Sequence, residues 1–192
     1  MLSVINYRWK IIMGGDGGVG KTTLLHRYVH NEFLQDMKLT IGVQIHTQTF
    51  ERQGKGVNLA LWDLGGQERF RFVQDSFMRG ASAAFVCFDM SRYATINRVR
   101  EWVDMIRQNA GPSIPIMLVG TKMDLVSDGS VLESMHRDAK ELVKELDLCC
   151  YSPTSSKWNF NVHESIQYMV DTLILHAHKA ESLQPAGQSG SS

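Results

Sequence analysis

The stretch Gly15-Asp16-Gly17-Gly18-Val19-Gly20-Lys21-Thr22 constrains this chain more than any other. It fits the pattern Gly-x-x-x-x-Gly-Lys-[Ser/Thr], a loop that binds phosphate. The apolar run Trp9-Lys10-Ile11-Ile12-Met13 precedes it and reads as a buried strand. Thr23 to Val29 comes after it and reads as a helix. Strand, glycine loop and helix in that order are the context this motif needs.

The residue types supply the chemistry. Glycines let the backbone turn tightly and bring successive N–H groups close to an anion. The helix N-terminus after the loop adds partial positive charge. Lys21 reaches β- and γ-phosphates, and the Thr22 hydroxyl takes one place on Mg²⁺. The expected phosphate-binding set runs through Asp16, Gly17, Gly18, Val19, Gly20, Lys21, Thr22 and Thr23. The loop alone does not choose between ATP and GTP.

Beyond the loop, short apolar runs alternate with helical patterns. This predicts an α/β fold: a doubly wound, mostly parallel six-stranded sheet with helices on both faces. The expected strands are the run before the loop, then Ile41–Phe50, Val57–Asp63, Ala81–Asp89, Ile114–Val119 and Leu148–Ser152. The second and third are separated only by the turn Glu51 to Gly56 and should pair. Helical stripes lie at Ile96–Ile106, Val131–Leu146 and Val162–Leu173, with Asn161 and Glu164 placed for a capping box. Leu64 to Arg79 reads as a mobile loop. At 192 residues one domain is expected over 1–180, with a Gly, Ser and Gln tail over 181–192. Twenty basic and twenty acidic residues cancel, so nothing recruits nucleic acid. Cys87 lies in an apolar run and Cys149 and Cys150 are neighbours, which implies no disulfide framework and fits a reducing, cytoplasmic setting. No signal-peptide pattern or spanning run is present.

Ligands of doubly wound sheets sit beyond the carboxyl ends of strands. Asp63 closes the third strand and begins Asp63-Leu64-Gly65-Gly66-Gln67-Glu68. A carboxylate there anchors Mg²⁺ through the waters that the ion retains. The Gly66 N–H approaches a γ-phosphate unhindered, and the Gln67 amide suits holding an attacking water. Thr40, at a loop-to-strand junction, completes the metal shell, so Thr22, Thr40 and Asp63 are the expected metal set. Lys21, Thr40, Gly66 and Gln67 are the expected catalytic set. Contacts to a γ-phosphate exist only in the triphosphate state, which would order the loop with GTP and release it after hydrolysis.

Base choice is set just past the fifth strand. In Gly120-Thr121-Lys122-Met123-Asp124, an ionised Asp124 matches the N1–H and the N2 amine of guanine. Adenine would leave that carboxylate unpaired, a mismatch on the order of 10⁴-fold. The Lys122 stem lies along the ring. Thr154-Ser155-Ser156-Lys157 offers backbone N–H groups to the guanine O6, and Phe33 covers the base. His176 and His178 are two apart on a helix and share no face, so they read as solvated or packing positions.

Together these residues resemble the Ras superfamily of small GTPases over nearly all of residues 7 to 178. The resemblance implies phosphate-loop roles for Gly15 to Thr22, a first-switch role for Thr40 and second-switch roles for Asp63, Gly66 and Gln67. It implies guanine recognition by Thr121, Lys122, Asp124, Ser155, Ser156 and Lys157. It implies a GTP/GDP switch with Mg²⁺, slow intrinsic hydrolysis, a GTPase-activating protein, a nucleotide exchange factor, and effectors read through residues about 34–46 and 64–80. Thr40-Ile41-Gly42-Val43, Gln67-Glu68-Arg69-Phe70 and Asn159-Phe160-Asn161-Val162 look like Rab proteins. Trp62-Asp63-Leu64-Gly65-Gly66-Gln67 looks Arf-like, and Thr121 is the residue typical of Rho. The mosaic suggests an early-branching or prokaryotic relative.

Thr121 replaces a commoner Asn, so a weaker link to the phosphate loop is expected. Met37 stands where many relatives carry an aromatic residue. Gln184 to Ser192 lacks both Cys and a basic cluster, so no direct membrane anchor is expected; a monomer is. No arginine is placed to act on phosphate in cis. A GTP-binding scaffold with little hydrolysis is the alternative reading. A small-molecule kinase would want an arginine-rich lid, which is missing.

Overall fold

A computed structural model of the chain describes residues 4–35, 37–66 and 71–183, with side chains of 71–74 and 183 outside that description. Six strands form one sheet: β1 (Ile5–Gly14), β2 (Val43–Arg52), β3 (Lys55–Leu64), β4 (Ala83–Asp89), β5 (Ile116–Thr121) and β6 (Cys150–Pro153). Five helices accompany them: α1 (Lys21–His30), α2 (Arg71–Met78), α3 (Val99–Ala110), α4 (Gly129–Glu145) and α5 (Val162–Leu183). The spatial order is β2-β3-β1-β4-β5-β6. All neighbouring pairs are parallel except β2 with β3. The expected α/β architecture is therefore the observed one.

Burial explains the pattern. Every residue of β4 and β5 is buried, as a parallel strand covered on both faces requires. Side chains alternate between faces. On one face Ile11, Met13, Phe85 and Cys87 pack with Leu24 and Leu25 of α1 and with Val162, Ile166, Met169 and Val170 of α5. On the other, Ile12, Ala84, Val86 and Phe88 pack with Val99, Trp102, Val103 and Ile106 of α3 and Met135 and Ala139 of α4. Each such fully buried aliphatic or aromatic side chain contributes about 1.5–3 kcal/mol of transfer free energy.

Some expected bounds shift. The β2–β3 hairpin closes on Gln53 (φ 52°) and Gly54 (φ 71°), with Arg52 opposite Lys55. Two successive positive φ values are the signature of a two-residue turn whose twist matches its strands, so both strands run further than the sequence suggests. Arg52 then donates to Asp171 of α5 through Nε (2.8 Å) and Nη2 (2.6 Å), which ties the hairpin down. The segment expected to be a mobile loop contains α2. Met78 at its end is buried in the core, and Phe77 lies 6.2 Å from the Trp62 ring, centroid to centroid. An apolar contact of that kind outweighs the polar start of the segment. Asn161 stands at φ 54° and its amide donates to Pro153 O at 2.9 Å, so it braces the loop before α5. α5 continues to Leu183, past the expected domain end. Among the described residues, no helix is long and apolar enough to cross a membrane.

Candidate functional site

Because β1, β3, β4, β5 and β6 are parallel, their carboxyl ends share one edge of the sheet. A cleft of about 330 Å³ opens there. At one end it is lined by Gly17, Gly18, Gly20, Lys21, Thr22 and Thr23 of the phosphate loop, with Thr40 and Gly66. At the other end are Thr121, Lys122, Asp124, Ser156 and Lys157. Phe33, Leu34, Gln35, Met37, Lys38 and Leu39 form a side wall, and Leu125 flanks Asp124.

The phosphate loop needs its glycines. Gly15, Gly18 and Gly20 stand at φ 130°, 74° and 101°, in the region open to glycine. A Cβ on Gly15 would also lie 2.3 Å from Cys87 O. Gly20 is the residue before α1, with no side-chain cap on that helix and no acidic residue in its first turn. The first N–H groups of α1 therefore face the cleft without an internal anion, which is an anion-binding arrangement. Lys21 is buried, and its ammonium donates to Gly15 O (2.6 Å) and Asp16 O (2.9 Å). Burial lowers its pKa, with Asp63, Cys87 and Asp16 opposing the shift.

Beside Lys21, three oxygens converge. Thr22 Oγ1 lies 2.6 Å from Thr40 Oγ1, Thr22 Oγ1 donates to Asp63 Oδ2, and Thr40 Oγ1 is 3.3 Å from that same carboxylate oxygen. Asp63 is fully buried and its Oδ1 has no hydrogen-bond partner among the described residues. Burial raises its pKa, opposed by Thr22, Lys21 and Thr40. An orphaned buried carboxylate beside two hydroxyls suits a hard dication with oxygen ligands. No cluster of three His, Cys, Asp or Glu side chains among the described residues could hold a metal. Gly66 packs directly on the phosphate loop: a Cβ there would lie 2.3 Å from Gly15 O and 2.5 Å from Gly17 N. Gly65 N donates to Gly42 O at 2.8 Å, so the two loops meet. Gln67 lies outside the described residues.

At the other end, Asp124 lies just past β5 and its Oδ1 accepts from Ser155 Oγ at 2.6 Å. Ser155 is buried and stands behind the cleft wall. Thr121 does reach the phosphate loop. Its buried hydroxyl meets Val19 O across 102 residues of sequence and lies 2.9 Å from Phe88 O. One hydroxyl has one proton, so it serves one carbonyl at a time. The Val19 carbonyl is thereby tied to β5, and the Val19 side chain is buried in the core. Lys122, at φ 57°, sends its ammonium to Gly18 O (2.7 Å) and Asp89 Oδ2 (2.7 Å). The two ends of the cleft are thereby joined.

Several supporting residues escape a reading of the sequence. Asp16 Oδ1 accepts from Trp102 Nε1 of α3 at 2.9 Å. Arg27 of α1 donates through Nε to Ser156 O at 2.7 Å and so holds the last base loop. Asp89, almost fully buried, binds Lys122 and Arg92. Asp89 was findable: it closes β4 as Asp63 closes the strand pairing with β1. Trp102 and Arg27 carry no local signal, since their partners are 86 and 129 residues away.

A model of the Ras family matches residues 10–175. The chain is similar to the Ras-related protein Rab-11A of Dictyostelium discoideum, 38% identical over 171 residues, which is 89% of this chain and 78% of that protein. It is similar to the Ras-related protein RIC2 of Oryza sativa subsp. japonica, 33% identical over 186 residues, 97% of this chain and 83% of the relative. The Ras-related protein RABA1b of Arabidopsis thaliana is 37% identical over 160 residues, 83% of this chain and 72% of the relative.

Proposed function

The chain belongs to the Ras family of small GTPases, Rab-like in its relatives, and from that premise we propose how its own residues run the switch. It is a GTP hydrolase that acts as a GTP/GDP switch. The observation that carries the finer reading is the single cleft with Lys21, Thr22, Thr40 and Gly66 at one end and Asp124 at the other.

Asp124 reads guanine. Ser155 holds one of its oxygens, and the carboxylate is thereby aimed into the cleft to accept from N1–H and the N2 amine. Lys122 and Phe33 bracket the base, and backbone N–H groups of Ser156 and Lys157 meet O6. The uncapped N-terminus of α1 and the Gly17–Gly20 backbone bind the phosphates, with Lys21 moving from Gly15 O and Asp16 O onto them. Thr22, Thr40 and Asp63 would hold Mg²⁺, which would supply positive charge to offset that of the phosphates. Gln67 orients the attacking water, and Gly66 gives its N–H to the γ-phosphate. Thr40 and Gly66 belong to loops already joined through Gly65 and Gly42, so loss of the γ-phosphate releases both together. Residues about 34–46 and 64–80 then stop presenting the surface that effectors read. A GTPase-activating protein and an exchange factor work on the same loops. The protein works as a cytoplasmic monomer, with a G domain that includes α5 to Leu183.

The test is single-turnover phosphate release from purified protein with Mg²⁺ and GTP, with ATP as control. Slow release from GTP with ATP untouched is expected. Tight GTP binding without release would refute the water-positioning machinery, and equal turnover of ATP would refute the role of Asp124.

A further inference from the structure

We propose that Arg92 is a cation supplied in cis to the phosphate chain, where it stabilises charge that develops as GTP is hydrolysed. The inference rests on the GTP-hydrolase reading above. Nothing in the local sequence marks this arginine, which lies in Asp89-Met90-Ser91-Arg92 just past β4. The fold brings it to the rim of the phosphate loop. A Cβ built on Gly18 would lie 3.8 Å from Arg92 Nη2 and 3.7 Å from Leu39 Cδ2. The guanidinium and the Leu39 side chain of the first loop thus flank Gly18 at the mouth of the cleft.

Its stem is anchored and its tip is not. Arg92 Nε donates to Asp89 Oδ2 at 2.8 Å, and Asp89 is itself 1% exposed. The Asp89 Oδ1 is occupied by Ser91 N (3.0 Å) and Ser91 Oγ (2.6 Å). The two η nitrogens of Arg92 have no hydrogen-bond partner among the described residues, and the side chain is half exposed. Lys122 Nζ shares the same Asp89 oxygen at 2.7 Å. Two cations against one carboxylate leave one positive charge uncompensated beside Gly18. Asp16 does not neutralise it, because its carboxylate is engaged by Trp102 at 2.9 Å and faces Arg98 at 3.7 Å. A polyanion is what this arrangement lacks. Guanidinium is suited to the task because it stays charged and presents paired donors in a plane.

In the reaction, water oxygen bonds to the γ-phosphorus as the bond from that phosphorus to the β–γ bridging oxygen breaks. The electron pair stays on the β-phosphate of GDP, and the proton of water leaves with inorganic phosphate. Arg92 keeps its own proton and donates hydrogen bonds to the oxygens that gain charge. An arginine in cis raises the intrinsic rate about ten- to a hundredfold, far less than a partner's finger in an activated complex.

The experiment compares the full chain with Arg92→Ala and Arg92→Lys, each loaded with GTP, by single-turnover phosphate release. GDP dissociation is followed in parallel with a fluorescent analogue, and melting temperatures confirm that the variants fold. Arg92→Ala is expected to hydrolyse GTP about ten- to a hundredfold more slowly, with GDP dissociation changed less than about threefold. Arg92→Lys, which keeps the charge but not the planar fork, recovers only a small part. A second readout is capture of GDP with aluminium fluoride, which mimics the transferring phosphoryl group. The parent takes it up without any partner protein, seen by ¹⁹F NMR, and Arg92→Ala does not. Equal hydrolysis in parent and Arg92→Ala overturns the proposal, as does a loss of GDP affinity in proportion to the loss of rate. A parent that binds GTP but never hydrolyses it overturns the GTPase reading together with the role of Arg92.

Discussion

Gly66→Ala tests the geometry of the site most directly. Gly66 lies against the phosphate loop so closely that a methyl group would fall 2.3 Å from both Gly15 O and the carbonyl carbon of Asp16. Those partners are backbone and cannot rotate away. Restoring a separation of about 3.0–3.4 Å requires the two loops to part by roughly 0.7–1.1 Å. A misplacement of about 1 Å among reacting groups costs on the order of 10²-fold in rate, or about 2.7 kcal/mol of barrier. Ground-state nucleotide binding should survive, because Asp124, Lys122, Lys21 and the α1 N-terminus are untouched. The expected outcome is hydrolysis slowed about a hundredfold, with GDP affinity within a few-fold of the parent. Single-turnover phosphate release and titration with a fluorescent GDP analogue measure the two quantities. A rate within about threefold of the parent would show that the loops have room to spare and that the approach of Gly66 to the phosphate loop is not what aligns the reaction.

Three further perturbations probe other parts of the site. Gln67→Leu removes the amide whose oxygen and nitrogen would hold water, so GTP binding should persist while phosphate release stops; unchanged turnover would sink that role. Asp124→Asn replaces an acceptor with a donor and should relax the preference for guanine over xanthine by on the order of 10⁴-fold. Competition between fluorescent GDP and xanthosine diphosphate reads this directly, and full retained discrimination would refute the pairing. Asp89 has a pH signature. Burial pushes its carboxyl up, but hydrogen bonds from Lys122, Ser91 and Arg92 outweigh that and leave it below its ordinary value. A carboxyl depressed in the folded state adds stability above its unfolded pKa, near about 4, and loses it as pH falls through the folded value. Thermal melts from neutral to acid pH should therefore fall less steeply below about pH 4 in Asp89→Asn than in the parent, and parallel curves would contradict the assignment.

The phosphate loop is legible in the sequence because its function is a backbone requirement written in consecutive residues. Gly15, Gly18 and Gly20 take positive φ, and Lys21 opens the helix. The strands are legible because burial on both faces leaves runs such as Ala84-Phe85-Val86-Cys87-Phe88 with no polar member. Asp63, Thr121 and Asp124 can be picked out by their places at or just past strand ends, since parallel strands bring their carboxyl ends to one edge. The segment after Asp63 is not legible in the same way, because its glycine- and charge-rich start reads as a loop and the helix that follows is only eight residues long. Its apolar end at Phe77 and Met78 makes sense only against Trp62 and the core.

The class of fold, the glycine loop and the polar residues at or just past the strand ends are written locally in the chain, because each depends on patterning or dihedral angles within a few neighbours. Tertiary structure alone decided how those pieces are braced: Trp102 on Asp16, Arg27 on Ser156, Thr121 on Val19, and Asp89 between Lys122 and Arg92. A side chain's hydrogen-bonding capacity is set by its chemistry. Its partner is set by where the sheet order β2-β3-β1-β4-β5-β6 delivers it, and most of these partners lie on different strands and helices, far apart along the chain.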